Sequence, residues 1–284
     1  MHPTHQRHAA LLALVGLAAL APLASADNTR NIMITGYWPP TANMVQRFST
    51  NPELNPEGWV GGNWEGRGYN VYSYFPTFID DGDNNWGQGS GDFEVDYQDT
   101  SADWQRITNE IKPAAIITFS RGNRGSNWEI ESRHNLRAPE NWAADYSEPF
   151  RPTLDMPIFQ SLDIGTNLYS SLPMEAIRDA VLDSGVINNA YIDENGTGGN
   201  YLSEFIGLHG VWYNSLNSAP DAEWRNFAAG HIHVGINTPL DAAIAATEIS
   251  LREVTDYLDT VIPTPGTLAL VAPLAMVGVR RRRA

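Results

Sequence analysis

Three residue types at separated places in this chain could together cleave an amide. Ser203 follows the glycine-rich turn Asn195-Gly196-Thr197-Gly198-Gly199 and stands at the expected start of a helix. The first N–H groups of a helix lack intrahelical partners, and the dipole there favours negative charge. A nucleophile gains from that position, and nearby amides could form an oxyanion hole. The same position equally suits a serine that only caps the helix. No G-x-S-x-G elbow is present, so the signature of the α/β-hydrolases is missing.

His231 and His233 are two apart in an extended apolar context, so both side chains point to one face of a sheet. General base ranks first among their roles, with structural histidine close behind. A His-x-His metal pair needs a third ligand, and the other internal histidines, His134 and His209, lack ligand spacing. No metal or cofactor is therefore expected. Glu131, in Glu129-Ile130-Glu131, follows a strand and a Gly/Asn-rich turn. A carboxylate arriving there could orient an imidazole, the third role of a triad. By itself it is a surface acid.

The elements that must position these residues alternate between strands and helices. Asn31 to Thr35 reads as a buried first strand ending at Gly36, and Val71 to Phe78 as a second. The Gly, Asn and Asp-rich stretch between Phe78 and Ser101 reads as a surface loop. Its acids (Asp80, Asp81, Asp83, Asp92, Asp96) do not form a calcium loop, because Trp86 stands where an EF-hand needs Gly. Ser101 is expected to cap a helix through Ile111, stopped by Pro113. Ala114 to Phe119 is a continuous apolar run, the mark of a strand covered on both faces. Pro173 opens a helix stopped by Gly185, Asn189 to Asp193 forms the next strand, and Thr238-Pro239 starts a last helix with a hydroxyl cap. The pattern predicts a single three-layer α/β/α domain with a mainly parallel mixed sheet, whose functional groups gather where strands end and helices begin.

The two ends read differently from the body. A polar start, the apolar run Ala9 to Leu20 and the small-x-small pattern Ala24-Ser25-Ala26 form a secretory signal over residues 1–26. At the other end, Pro263-Thr264-Pro265-Gly266 precedes the apolar run Thr267 to Val279 and the cluster Arg280 to Arg283. That order resembles the PEP-CTERM sorting tails of bacterial envelope proteins, with Thr264 where a Glu is usual. It implies transient membrane insertion of residues 261–284, a membrane protease as partner, and an exported, envelope or surface protein. A plain tail anchor is the alternative.

Composition narrows the remaining choices. The chain of 284 residues carries a net charge of −15 and no cysteine. Five of its 18 basic residues lie in the two ends, whereas all 33 acids lie between Asp27 and Asp259. So acidic a body argues against nucleic acid as a partner. Without cysteine there is no disulfide, thiolate metal site or thiol nucleophile.

A set of ordered motifs spans about Asn31 to Pro239. Ile34-Thr35-Gly36-Tyr37-Trp38-Pro39 resembles the opening Val-Thr-Gly-Phe-Gly-Pro of the pyroglutamyl (pyrrolidone-carboxylate) peptidases. Phe75-Pro76-Thr77-Phe78, Lys112-Pro113-Ala114-Ala115-Ile116-Ile117 and Ser170-Ser171-Leu172-Pro173 are similar to further segments of that family. Gly198-Gly199-Asn200-Tyr201-Leu202-Ser203-Glu204 resembles its nucleophile segment Ala-Gly-x-Tyr-Leu-Cys-Asn/Glu, and His231-Ile232-His233-Val234 its Phe-Ile-His-Val. The resemblance makes residues 27–260 one peptidase-like domain. It implies Ser203 as nucleophile in place of Cys, His233 as base and Glu131 as its orienting acid. It places Tyr37, Trp38, Arg124 and Leu202 on the substrate side, facing a peptide or small lactam. Trp38 and Pro40 depart from the family's loop, and the spacing from Glu131 to Asn135 is one residue short of its pattern. Two readings stand at this point: a serine hydrolase cleaving an amide, such as an N-terminal pyroglutamate, or a silent binding protein that keeps the pocket.

Overall fold

A computed structural model describes residues 29–262 apart from 80–81, 83–85 and 196–198. The proposed signal and almost all of the sorting tail lie outside the described residues. In chain order the regular elements are β1 (Asn31–Tyr37), α1 (Thr41–Val45), β2 (Asn70–Tyr74), α2 (Tyr97–Ile111), β3 (Ala115–Arg121), β4 (Trp128–Glu131), β5 (Arg133–Asn135), α3 (Pro157–Ser161), β6 (Asn167–Tyr169), α4 (Met174–Ser184), β7 (Ala190–Asp193), α5 (Leu202–Asn217), β8 (Ala228–Val234) and α6 (Leu240–Val261).

Six strands form one sheet in the order β2-β1-β3-β8-β4-β7. The first four run parallel. β4 pairs antiparallel with β8 and parallel with β7, so these last two strands run opposite to the rest. β5 and β6 form a separate antiparallel pair. The sheet has a core on each side, as the alternation of side chains along a strand requires. Ile117, Phe119, Trp128, Ile130, Ile232 and Val234 pack with α1, α4 and α6 on one face. Met33, Ile116 and Ala229 pack with α2 and α5 on the other. This is the expected α/β fold with a mixed, mostly parallel sheet.

Several local expectations need correction. The second strand stops at Tyr74, before Pro76, which has no N–H to donate to a ladder. α2 begins at Tyr97 because Asp96, not Ser101, caps it: the Asp96 carboxylate accepts from the N–H groups of Gln98 (2.7 Å) and Asp99 (2.9 Å). Ser101 is buried inside the helix. The stretch before α2 is not wholly a surface loop, since Phe93 and Val95 are buried in the α2/α5 core. Thr238 does not cap α6; its hydroxyl is buried without a hydrogen bond among the described residues. Gly185, by contrast, ends α4 at φ 72°, a backbone that glycine adopts without strain.

His209 lies midway along α5 between the rings of Phe205 (4.5 Å), Trp104 and Trp212 (both 5.6 Å, centroid to centroid). Nδ1 donates to the Phe205 carbonyl at 2.9 Å, while burial pushes the imidazole down to about 4. The folded protein thus keeps His209 neutral where the unfolded chain would protonate it. Stability should fall as pH drops from about 6.5 towards 4, by up to roughly 3 kcal/mol from this group. Urea midpoints at pH 7 and pH 4.5 should converge in His209→Phe relative to wild type. An equal acid loss in both proteins would refute this.

Candidate active site

The sheet register gathers a polar cluster at the end of the face covered by α5. Thr118 of β3 pairs with His231 of β8, which pairs with Glu131 of β4. One step along, Ser120, His233 and Glu129 form the next row. Residues opposite one another in a ladder share a face, so these six side chains continue the row begun by apolar Ile116 and Ala229. Because β4 runs backwards, it delivers both carboxylates beside the histidines.

His233 is 6 % exposed. Its Nδ1 donates to Glu131 Oε1 at 2.7 Å, which leaves the Nε2 lone pair of the neutral ring to act on a proton. Nε2 makes no hydrogen bond among the described residues. Burial by itself would lower the His233 pKa. The Glu131 hydrogen bond and the charges of Glu131, Glu129 and Glu204 outweigh it, holding the imidazole above its ordinary range.

His231 behaves in the opposite way. Burial, followed by the nearby His233 and His134 imidazoles, holds it well below the ordinary value. It bonds Thr118 Oγ1 through Nδ1 and Ser120 Oγ through Nε2, both at 2.8 Å. Thr118 Oγ1 in turn donates to the Gly230 carbonyl at 3.3 Å. It therefore accepts from His231 Nδ1–H, and Ser120 donates to Nε2. A ring so reluctant to charge, 4.6 Å from the His233 ring, is a neutral connector and a poor base. Of the two histidines at His-x-His, His233 is the one bonded to a carboxylate.

A second buried pair lies behind the first. His134 Nδ1 stands 2.9 Å from Glu204 Oε2, and Glu204 Oε1 accepts from the Asn135 N–H at 2.8 Å. The His134 ring meets His231 edge to face at 5.8 Å. Neither His134 nor His209 joins His231 and His233 as a third metal ligand.

Ser203 occupies the first turn of α5, as expected, but Tyr201 is the N-cap residue. Ser203 lines a pocket of about 350 Å³ with Tyr37, Trp38, Leu202, Ser120, Arg121 and Tyr146, among others. Its hydroxyl makes no hydrogen bond among the described residues, so Ser203 and His233 are not directly bonded in this state. Tyr37, Trp38 and Leu202 thus fall on the pocket wall. Tyr37 bonds Thr100 through its hydroxyl and shows the pocket its ring. Trp38, at φ 59°, anchors its indole N–H to the Gly87 carbonyl at 2.8 Å. Arg124 does not line the pocket; it is exposed in the β3–β4 turn. Arg121, three positions earlier at the end of β3, lines it instead, with its guanidinium carbon 4.8 Å from the centre of the Trp38 ring. Ser120, Glu129, Arg121 and the His134–Glu204 pair were not singled out as site residues from the sequence. The period-2 pattern of β3 and β4 was the one signal that could have found the first two.

Comparison with known proteins gives one consistent answer. No family model matches the chain, and no curated protein matches it significantly. Among solved structures, pyrrolidone carboxyl peptidase from Thermococcus litoralis superposes with a TM-score of 0.55 at 20 % identity, covering 82 % of this chain and 96 % of that one. Two mutant forms of the enzyme from Pyrococcus furiosus match with TM-scores of 0.55 at 17 % identity, over 80 % of this chain and 99 % of theirs. The chain has a pyrrolidone-carboxyl-peptidase-like fold. At these identities the likeness speaks for the fold, and the chemistry has to be argued from the residues.

The close seat of α5 on the polar cluster depends on Gly207. A Cβ there would stand 2.5 Å from His134 Cε1 and 3.0 Å from His231 Cβ. Gly→Ala inside a helix ordinarily stabilises by about 0.5–1 kcal/mol. Here the clash should reverse the sign, costing roughly 1–3 kcal/mol. Gly210→Ala, whose Cβ would meet nothing nearer than 3.7 Å, should keep the ordinary gain. Denaturant midpoints of the two variants should therefore move in opposite directions. A neutral or stabilising Gly207→Ala would refute the tight seat.

Proposed function

We propose that this protein is an exported amide hydrolase of the pyroglutamyl-peptidase type in which serine replaces cysteine. Ser203 Oγ attacks the scissile carbonyl and His233 Nε2 takes its proton. Glu131 holds the Nδ1–H, so the imidazole keeps the right tautomer and its positive charge is matched. The N–H groups at the start of α5 are the oxyanion donors. His233 then returns the proton to the leaving amine, and water hydrolyses the acyl-enzyme. The observation that carries this reading is the 2.7 Å bond between His233 Nδ1 and Glu131 Oε1 on the sheet face that α5 covers. The missing Ser203–His233 bond is compatible with it, because catalytic hydrogen bonds are often long before substrate arrives.

The proposed substrate is a peptide or small lactam, held between Tyr37, Trp38 and Leu202, which line the pocket. A fluorophosphonate probe should label Ser203, and His233→Ala should abolish labelling. A pyroglutamyl reporter amide should be cleaved, with kcat reduced by about 10³-fold or more in Ser203→Ala. If the wild type neither labels nor turns over, Ser203→Cys becomes decisive. A thiolate is stabilised at a helix start without a strong base, so regained activity would mean an intact pocket with a weak nucleophile. No labelling and no rescue would leave a binding protein.

Export and sorting belong to the same proposal. The signal over residues 1–26 would be cleaved, and a membrane protease would remove the tail after Pro263-Thr264-Pro265. Mass spectrometry of the native protein should find a start near Asp27 and no Arg280–Arg283 cluster. An intact tail would mean an anchor instead.

A further inference from the structure

Glu129 has no part in the proposed hydrolysis, yet it faces His233 directly across the β4–β8 ladder. One oxygen of Glu129, one oxygen of Glu131 and one nitrogen of His233 lie within 4.8 Å of one another. Two donors on a tetrahedral ion at about 2.0–2.2 Å stand roughly 3.5 Å apart, so small side-chain rotations would close the set. The second oxygen of Glu131, Oε2, is buried without any hydrogen-bond partner among the described residues, and Glu131 is 1 % exposed. A buried carboxylate oxygen without a partner is costly, and a cation is one of the few things that would relieve it. Two carboxylates and a neutral imidazole supply two negative charges, which a divalent ion balances. One nitrogen and two carboxylate oxygens suit a borderline cation such as Zn²⁺ better than the all-oxygen preference of Mg²⁺ or Ca²⁺. Glu129 is only half-buried, which gives an ion a way in.

We propose that Glu129, Glu131 and His233 form a binding site for a divalent cation of the zinc class. An ion held there takes both Glu131 and His233 out of proton transfer. The site therefore switches off the hydrolysis proposed above, although binding itself does not depend on that reading.

The test is competition between the purified, metal-stripped protein and a zinc-binding chromophore, with stoichiometry and affinity read from the absorbance. Wild type should take up one equivalent of Zn²⁺. Glu129→Gln, which conserves shape, should weaken binding at least tenfold, and Glu131→Gln should do the same. Circular dichroism would confirm that both variants are folded. Added Zn²⁺ should raise the wild-type thermal midpoint and leave that of Glu129→Gln unmoved. In the reporter assay, Glu129→Gln should lose inhibition by Zn²⁺. No stoichiometric uptake by wild type, or equal affinity in Glu129→Gln, would overturn the site. Activity without zinc uptake would sink this inference alone, whereas uptake without activity would sink only the hydrolase reading.

Discussion

The architecture turns on burying ionisable side chains between α5 and the sheet. Glu131, His134, Glu204, His231 and His233 are each 6 % exposed or less. An isolated buried charge is far too costly for a marginally stable domain, so each group must face a partner of the right kind. The sheet register supplies those partners. His233 meets Glu131, His134 meets Glu204, and His231 is left with two hydroxyls and stays neutral. Removing one member of either acid–imidazole pair leaves the other uncompensated, the costly way to break a buried pair.

The reversed strand β4 makes this arrangement possible. In a wholly parallel sheet, residues beyond β8 would reach its C-terminal edge only at the end of the neighbouring strand. β4 instead starts at that edge and runs back, so Glu129 and Glu131 enter beside His233 and His231 in succession. α5 then closes over the cluster with its first turn at the pocket end. The glycine at 207 permits the approach, and Ser120 of the polar row meets the pocket beside Ser203 and Arg121.

Much of this was readable in the sequence, and the exceptions share a cause. Alternating apolar runs and Pro or Gly punctuation located β1, β3, α4, β7 and α6 to within a few residues, because each carries its own signal. Ser203 was readable as a helix-start residue from the glycines before it. The three-residue grouping of Ser203, His233 and Glu131 came from the family's motifs rather than from spacing. What spacing could not supply was register. Whether Glu129 faces His233 depends on the direction of β4, and β4 is a four-residue strand whose sequence does not encode its orientation. The α2 cap was misplaced because Asp96 and Ser101 both have capping side chains, and the burial of Ser101 decides between them. Arg124 and Arg121 are equally plausible by type; the turn after β3 turns one outward and leaves the other against Trp38.

The two acid–imidazole pairs also have a kinetic side. His233 and Glu131 are 102 residues apart, His231 and Ser120 are 111 apart, and His134 and Glu204 are 70 apart. β8 enters the sheet between β3 and β4, both laid down more than ninety residues earlier. Contacts of such separation form late, after loop-closure entropy has been met. In any state that lacks β8, the carboxylates of β4 would stand at an open edge, where their like charge would discourage premature strand pairing. Insertion of β8 then converts that repulsion into attraction by bringing the histidines. The same acids that complete the buried polar cluster would thus act as gatekeepers of an unfinished sheet.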